Sequence, residues 1–174
     1  MVTHPYDSLR LANSAQLIFT PCPGTKEATL AQSLKTLKEA GTNILITLMY
    51  DQELQKNDAL ALASECAAQN IQWLQLPIAD DAAPNGDFEQ RWLAHKEQII
   101  ATAKEQGVVA VHCKGGSGRT GLVIALILVA LGYSAEQAIA QVQTIRPKAL
   151  THATQLNYFN AFITDYTGNK NHDY

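Results

Sequence analysis

The sequence predicts an α/β fold with a mostly parallel central sheet of about four to five strands flanked by helices. Three observations carry that expectation. Short apolar runs alternate with stretches of helical spacing along the chain. The run VVAVH (108–112) is apolar up to its histidine, as in a strand covered on both faces. The 174 residues, 47% hydrophobic and 17% charged, suffice for one core. Residues 1–174 are therefore expected to form a single domain, with its core over about 17–166 and a polar, frayed tail at 167–174.

The elements follow in order. LIFT (17–20) reads as a strand ending at the turn PCPG. A helix follows from Thr25, with Leu30, Leu34 and Leu37 on one stripe and Gly41 as its stop. NILITLM (43–49) is a strand, and a helix from Asp58 puts Leu62 and Cys66 on one face. IQWLQL (71–76) is the next strand, followed by the loop PIADDAAPNGD. The helix starting near Phe88 buries Phe88, Trp92 and Ile99, with His95 at the core or rim of that stripe. Asp87 and Gln90 have capping-box spacing at its start. After the strand 108–112, three helices close the chain: about 119–131, Ser134–Ile145 and Thr151 to about Tyr166. Ser134 and Gln137 form a second capping-box pattern. The apolar run GLVIALILVALG is too short to cross a bilayer and reads as a buried helix.

Composition narrows the function classes. A net charge of −3 without Lys/Arg blocks argues against broad nucleic-acid or membrane-surface binding. Three scattered cysteines, Cys22, Cys66 and Cys113, do not make a disulfide framework and point to the reducing cytoplasm. The N-terminus lacks the basic-then-apolar pattern of a signal peptide. CxxC and HExxH are both absent, so no metal site and no cofactor is expected.

The segment HCKGGSGRTG (112–121) carries the chemistry. Between Cys113 and Arg119 lie Lys114, Gly115, Gly116, Ser117 and Gly118. A loop that short must curl, which turns successive backbone N–H groups inward to form an anion-binding nest. The following helix adds its N-terminal N–H groups and positive dipole end. Arg119 adds a planar fork matched to two phosphate oxygens. Such a cradle also favours a thiolate at its base, and a thiolate in line with a leaving oxygen supports nucleophilic displacement on phosphorus. The dinucleotide pattern GxGxxG and the Walker pattern are both absent. Expulsion of an alkoxide or phenoxide requires an acid, and the loop 77–87 offers Asp80, Asp81 and Asp87. Asp87 is set aside as a helix cap. Thr120 is either a hydroxyl that eases departure of the thiolate or an ordinary first-turn residue. His112 points to the opposite face of its strand from Cys113, so it supports loop backbone or fills the core. Cys22, at a neighbouring strand end, is a candidate disulfide partner for Cys113 under oxidation.

VHCKGGSGRTG resembles the signature of the protein tyrosine phosphatase superfamily. Over about 17–163, the landmarks PCPGTK, PIADDAAP, HCKGGSGRT and RPKALTHATQLNYF resemble one dual-specificity branch. That branch contains the cyclin-dependent-kinase-associated phosphatase and its bacterial relatives. The resemblance implies a cysteine-phosphatase fold, a phosphorylated protein or peptide as substrate, and a phosphocysteine intermediate. It favours Asp80 over Asp81 as the general acid. Gln155 matches the glutamine that positions water in related phosphatases, or else is a surface residue of the last helix. Lys114 is similar to the lysine of the phosphoinositide-phosphatase branch, but Ser117 stands where that branch has a second lysine. Lipid headgroups are thus a second substrate class, and phosphate recognition without turnover is a third reading.

Overall fold

The computed structural model describes residues 3–170, and side chains as far as residue 166. Five strands form one sheet: β1 (Asp7–Arg10), β2 (Gln16–Thr20), β3 (Ile44–Thr47), β4 (Gln72–Gln75) and β5 (Val108–His112), in the order β1-β2-β5-β3-β4. Strands β2, β5, β3 and β4 are parallel, and β1 runs antiparallel at the edge beside β2. The sheet is therefore mostly parallel, and β5 lies at its centre.

Side chains of β5 alternate between the faces, as strand geometry requires. Val109 and Val111 join a core with α4 (Gly86–Lys104), α5 (Gly118–Ala130), α6 (Ala135–Ile145) and α7 (Ala153–Lys170). Val108 and Ala110 join a second core with α1 (Leu30–Glu39), α2 (Asp51–Lys56) and α3 (Leu62–Ala68). Every residue of α5 from Arg119 to Val129 is buried, because sheet, α4, α6 and α7 surround it. That explains an apolar run with no polar stripe. Among the described residues no helix is long and apolar enough to cross a membrane.

Several expected boundaries move. The first long helix starts at Leu30 rather than Thr25, because Thr29 and Gln32 form a reciprocal capping box there. Gly41 follows its end at a left-handed φ of 97°, as expected of the stop. The helix expected from Asp58 begins at Leu62, since Asp58 itself is left-handed (φ 55°) and closes the unforeseen α2. The cap of α4 is Asn85, whose side chain accepts from the Asp87 N–H, so Asp87 is a first-turn residue rather than the cap. The box at Ser134 and Gln137 is present. The last helix starts at Ala153 and runs to Lys170, so 167–170 continue the helix backbone. The remainder of the expected frayed tail, 171–174, lies outside the described residues.

Candidate active site

Strands β2, β3 and β5 all end at one edge, where Thr20 and Thr47 flank His112 in register. Ligands in parallel sheets bind beyond these carboxyl ends. The chain leaves β5 at Cys113, curls through 114–117 and enters α5 at Gly118. Gly116 makes the curl possible. Its φ is 79°, and a Cβ there would lie 2.5 Å from the Thr20 carbonyl carbon. The loop is thus pressed against the end of β2, and the Cys22 N–H donates to the Lys114 carbonyl at 3.0 Å. Lys114, Gly115 and Ser117 face solvent.

Cys113 sits at the base and is 4% exposed. Its sulfur accepts from the Gly116 N–H at 3.2 Å and from the Thr120 hydroxyl at 3.2 Å. Arg119 stands beside it, 5% exposed. Its Nη1 and Nη2 donate to Glu53 Oε1 and Oε2 at 2.7 and 2.8 Å. Nη1 also donates to the Ile78 carbonyl at 3.0 Å. Burial disfavours the guanidinium charge, but the hydrogen bonds it donates to Glu53 and the neighbouring Cys113, Glu53 and Asp80 raise its pKa on balance.

Asp80 Oδ1 lies 3.5 Å from Arg119 Nη2, with its side chain 68% exposed above the loop. The same oxygen accepts from the Asp81 N–H at 3.1 Å, and Asp81 adopts a left-handed φ of 58° that turns the chain. The loop 77–87 is anchored where the Ile78 N–H donates to the Leu48 carbonyl and where the Tyr50 hydroxyl donates to Asp87. Gln155, in the first turn of α7, places its amide 3.4 Å from where a Cβ on Gly118 would be. Cys113, Arg119, Asp80, Thr120 and Gln155 thus converge on one loop.

His112 faces away from the sulfur, as strand alternation requires. Nδ1 lies 3.0 Å from the Cys113 carbonyl and Nε2 2.7 Å from Thr47 Oγ1. Trp73 Nε1 donates to that same hydroxyl at 2.7 Å. A carbonyl only accepts, so Nδ1 carries the proton and Nε2 accepts from Thr47, a neutral ring. Burial agrees, since it depresses the His112 pKa to about 4. Cys22, Cys66 and Cys113 are all free thiols, and burial pushes Cys22 and Cys66 up to about 12.

Two residues here escaped the sequence reading. Glu53 lies on the short α2, 66 positions from the arginine it grips. Arg146 follows α6, and its Nε donates to the Gly116 carbonyl at 3.0 Å. Arg146 lies in the quoted stretch RPKALTHATQLNYF, which was the available signal; nothing in DQELQK singles out its glutamate.

Residues 22–159 match the family described as PTP-SAK, a Swiss Army Knife protein DSP-PTPase phosphatase domain. The chain is 28% identical over 138 residues to protein tyrosine phosphatase type IVA 3 of Homo sapiens, covering 78% of this chain and 72% of that one. It is 35% identical over 92 residues to tyrosine-protein phosphatase CDC14 of Candida albicans, covering 52% of this chain and 16% of that protein's length. A solved kinase associated phosphatase, with its catalytic-site cysteine substituted by serine, superposes with a TM-score of 0.82 at 24% identity. That match covers 95% of this chain and 97% of the other, and shows a shared fold. With the family model matched across all but the two ends, the chain belongs to the DSP-PTPase phosphatase domain family and is a cysteine-dependent protein phosphatase of the dual-specificity and tyrosine-phosphatase class.

Proposed function

We propose that this chain acts as one cytoplasmic phosphatase domain. It hydrolyses phosphotyrosine first, and phosphoserine or phosphothreonine with it, through a phosphocysteine on Cys113. The observation that carries this reading is the Cys113 sulfur, which accepts two hydrogen bonds at the base of a curled loop while Arg119 stands beside it. Both donors hold the sulfur at the base of the loop. The thiolate attacks phosphorus, the bond to the leaving oxygen breaks, and Asp80 in its acid form gives that oxygen a proton. Arg119 and the N–H groups of 114–119 stabilise the equatorial oxygens. Nε of Arg119 takes no part in its grip on Glu53, which supports a role in holding phosphate.

Water then attacks the phosphocysteine. Asp80, now a carboxylate, takes the proton, Gln155 orients the water, and the departing thiolate regains the Thr120 hydroxyl. His112 and Lys114 act at the edges: His112 fixes the Cys113 carbonyl, and Lys114 adds positive charge at the rim. Cys113 is only 4% exposed, which supports the longer phosphotyrosine side chain as the preferred substrate. Three free, buried cysteines suit a compartment that keeps thiols reduced.

The test is hydrolysis of para-nitrophenyl phosphate in EDTA by wild type and by Cys113→Ser. Wild type is expected to turn over and the variant to be inactive. An inactive wild type that still binds vanadate would replace this reading with phosphate recognition alone. Phosphotyrosine and phosphothreonine peptides then rank the substrates.

A further inference from the structure

Resting on the anion-cradle reading above, we infer that Arg146 is a positioning residue that holds the phosphate loop in its binding-competent shape. The key contact is on Gly116. Its N–H donates to the Cys113 sulfur, and its carbonyl accepts from Arg146 Nε at 3.0 Å. A trans peptide sends its C=O and the following N–H in opposite directions. Arg146 therefore fixes the 116–117 peptide with the carbonyl turned out of the loop and the Ser117 N–H turned the other way. A flip would aim a carbonyl oxygen at the bound anion and remove one donor. Glycine at a φ of 79° has little of its own to oppose such a flip.

Arg146 is itself held on two further sides. Nη1 pairs with Asp7 Oδ2 at 2.7 Å, and the guanidinium carbon lies 5.4 Å over the Phe19 ring. The edge strand β1 supplies Asp7 and β2 supplies Phe19. The N-terminal strand pair is thereby linked to the geometry of a loop about a hundred residues further along.

The test compares vanadate inhibition, kcat and KM, and the rate of Cys113 alkylation by iodoacetate at pH 6, in wild type, Arg146→Met and Arg146→Lys. Thermal melts are run alongside. Arg146→Met is expected to weaken vanadate inhibition by about tenfold or more, the size expected for a lost charge-assisted hydrogen bond, and to slow alkylation. Arg146→Lys keeps the charge but cannot serve Gly116 and Asp7 together, so it is expected to stay at least about fivefold weaker than wild type. Full recovery by lysine would assign the effect to charge and overturn the positioning role. Folded Arg146→Met with wild-type vanadate affinity would overturn it outright. If Arg146→Met fails to fold, Asp7→Asn at the exposed end of the pair decides: about two- to fourfold weaker vanadate binding is expected, and no change overturns the role. Wild type that binds no vanadate would instead sink the cradle reading itself.

Discussion

Glu53 meets Arg119 fork to fork, with both carboxylate oxygens on both terminal nitrogens at 2.7 and 2.8 Å. The pair leaves Arg119 little freedom to rotate, and in the proposed reaction a guanidinium held in advance does not have to be ordered when phosphate binds.

Glu53→Gln keeps the shape and removes the charge. It is expected to lower kcat/KM by about ten- to a hundredfold, since hydrogen bonds to charged groups are worth about 1.5–3 kcal/mol. Steady-state kinetics on an aryl phosphate checks this, and unchanged kinetics would show that the Leu48 and Ile78 carbonyls suffice to position Arg119.

Asp80→Asn is expected to slow turnover by about 10²- to 10⁴-fold on substrates with poor leaving groups. The loss shrinks as the leaving group becomes more acidic. A series of substituted phenyl phosphates reads this directly. Asp81→Asn is expected to leave that dependence intact, because Asp81 contributes its backbone N–H to Asp80. Equal losses in both variants would reopen the choice of acid.

His112 makes stability fall in mild acid. Its folded pKa is depressed to about 4, while an unfolded histidine titrates near 6.5. Between those values the unfolded chain binds the extra proton, so stability rises with pH across the window. The folded state is fully favoured above about 6.5 and loses roughly 3 kcal/mol as pH falls to about 4. His4, depressed mainly by burial, adds to the loss in the same direction. Urea melts at intervals from pH 4 to 7 measure the slope. His112→Gln is expected to flatten it.

The glycines divide by surroundings. Gly116→Ala would set a Cβ 2.5 Å from rigid backbone at a left-handed φ, so binding of vanadate and folding should both fail. A Cβ on Gly115 meets nothing within 4 Å, so Gly115→Ala should melt within about 0.5 kcal/mol of wild type. On α5, a Cβ at Gly121 would lie 2.7 Å from the Ala149 Cβ, and Gly121→Ala is expected to cost about 1–3 kcal/mol by overpacking. Thermal denaturation of the three variants checks the ranking.

What was legible in the sequence depended on how strongly burial marks a segment. Strand β5 and helix α5 are buried almost throughout, and their apolar runs announced them. β1 was silent because only Leu9 of its four residues is buried, leaving no alternation to read. The six-residue α2 buries Leu54 alone, and with it Glu53 went unnoticed. The thiol, the arginine and the aspartates of the loop 77–87 stood out because the expected chemistry demands rare residue types close together. The partners that aim them, Glu53 and Arg146, are ordinary charged residues brought in by topology from distant segments. At α4 the spacing of Asp87 and Gln90 mimicked a cap, while Asn85 two residues earlier made the actual hydrogen bond.

The burial of α5 on all sides has a consequence for how the molecule ages and fails. A catalytic loop mounted on a surface helix can fray by itself, leaving a folded but inactive protein. Here the helix under the thiol contacts sheet, α4, α6 and α7, so its hydrogen-bonded amides from Gly121 onward exchange with solvent only when those layers part. Heat inactivation and loss of global structure should therefore coincide, and slow deuterium uptake along 121–129 should report the stability of the whole protein.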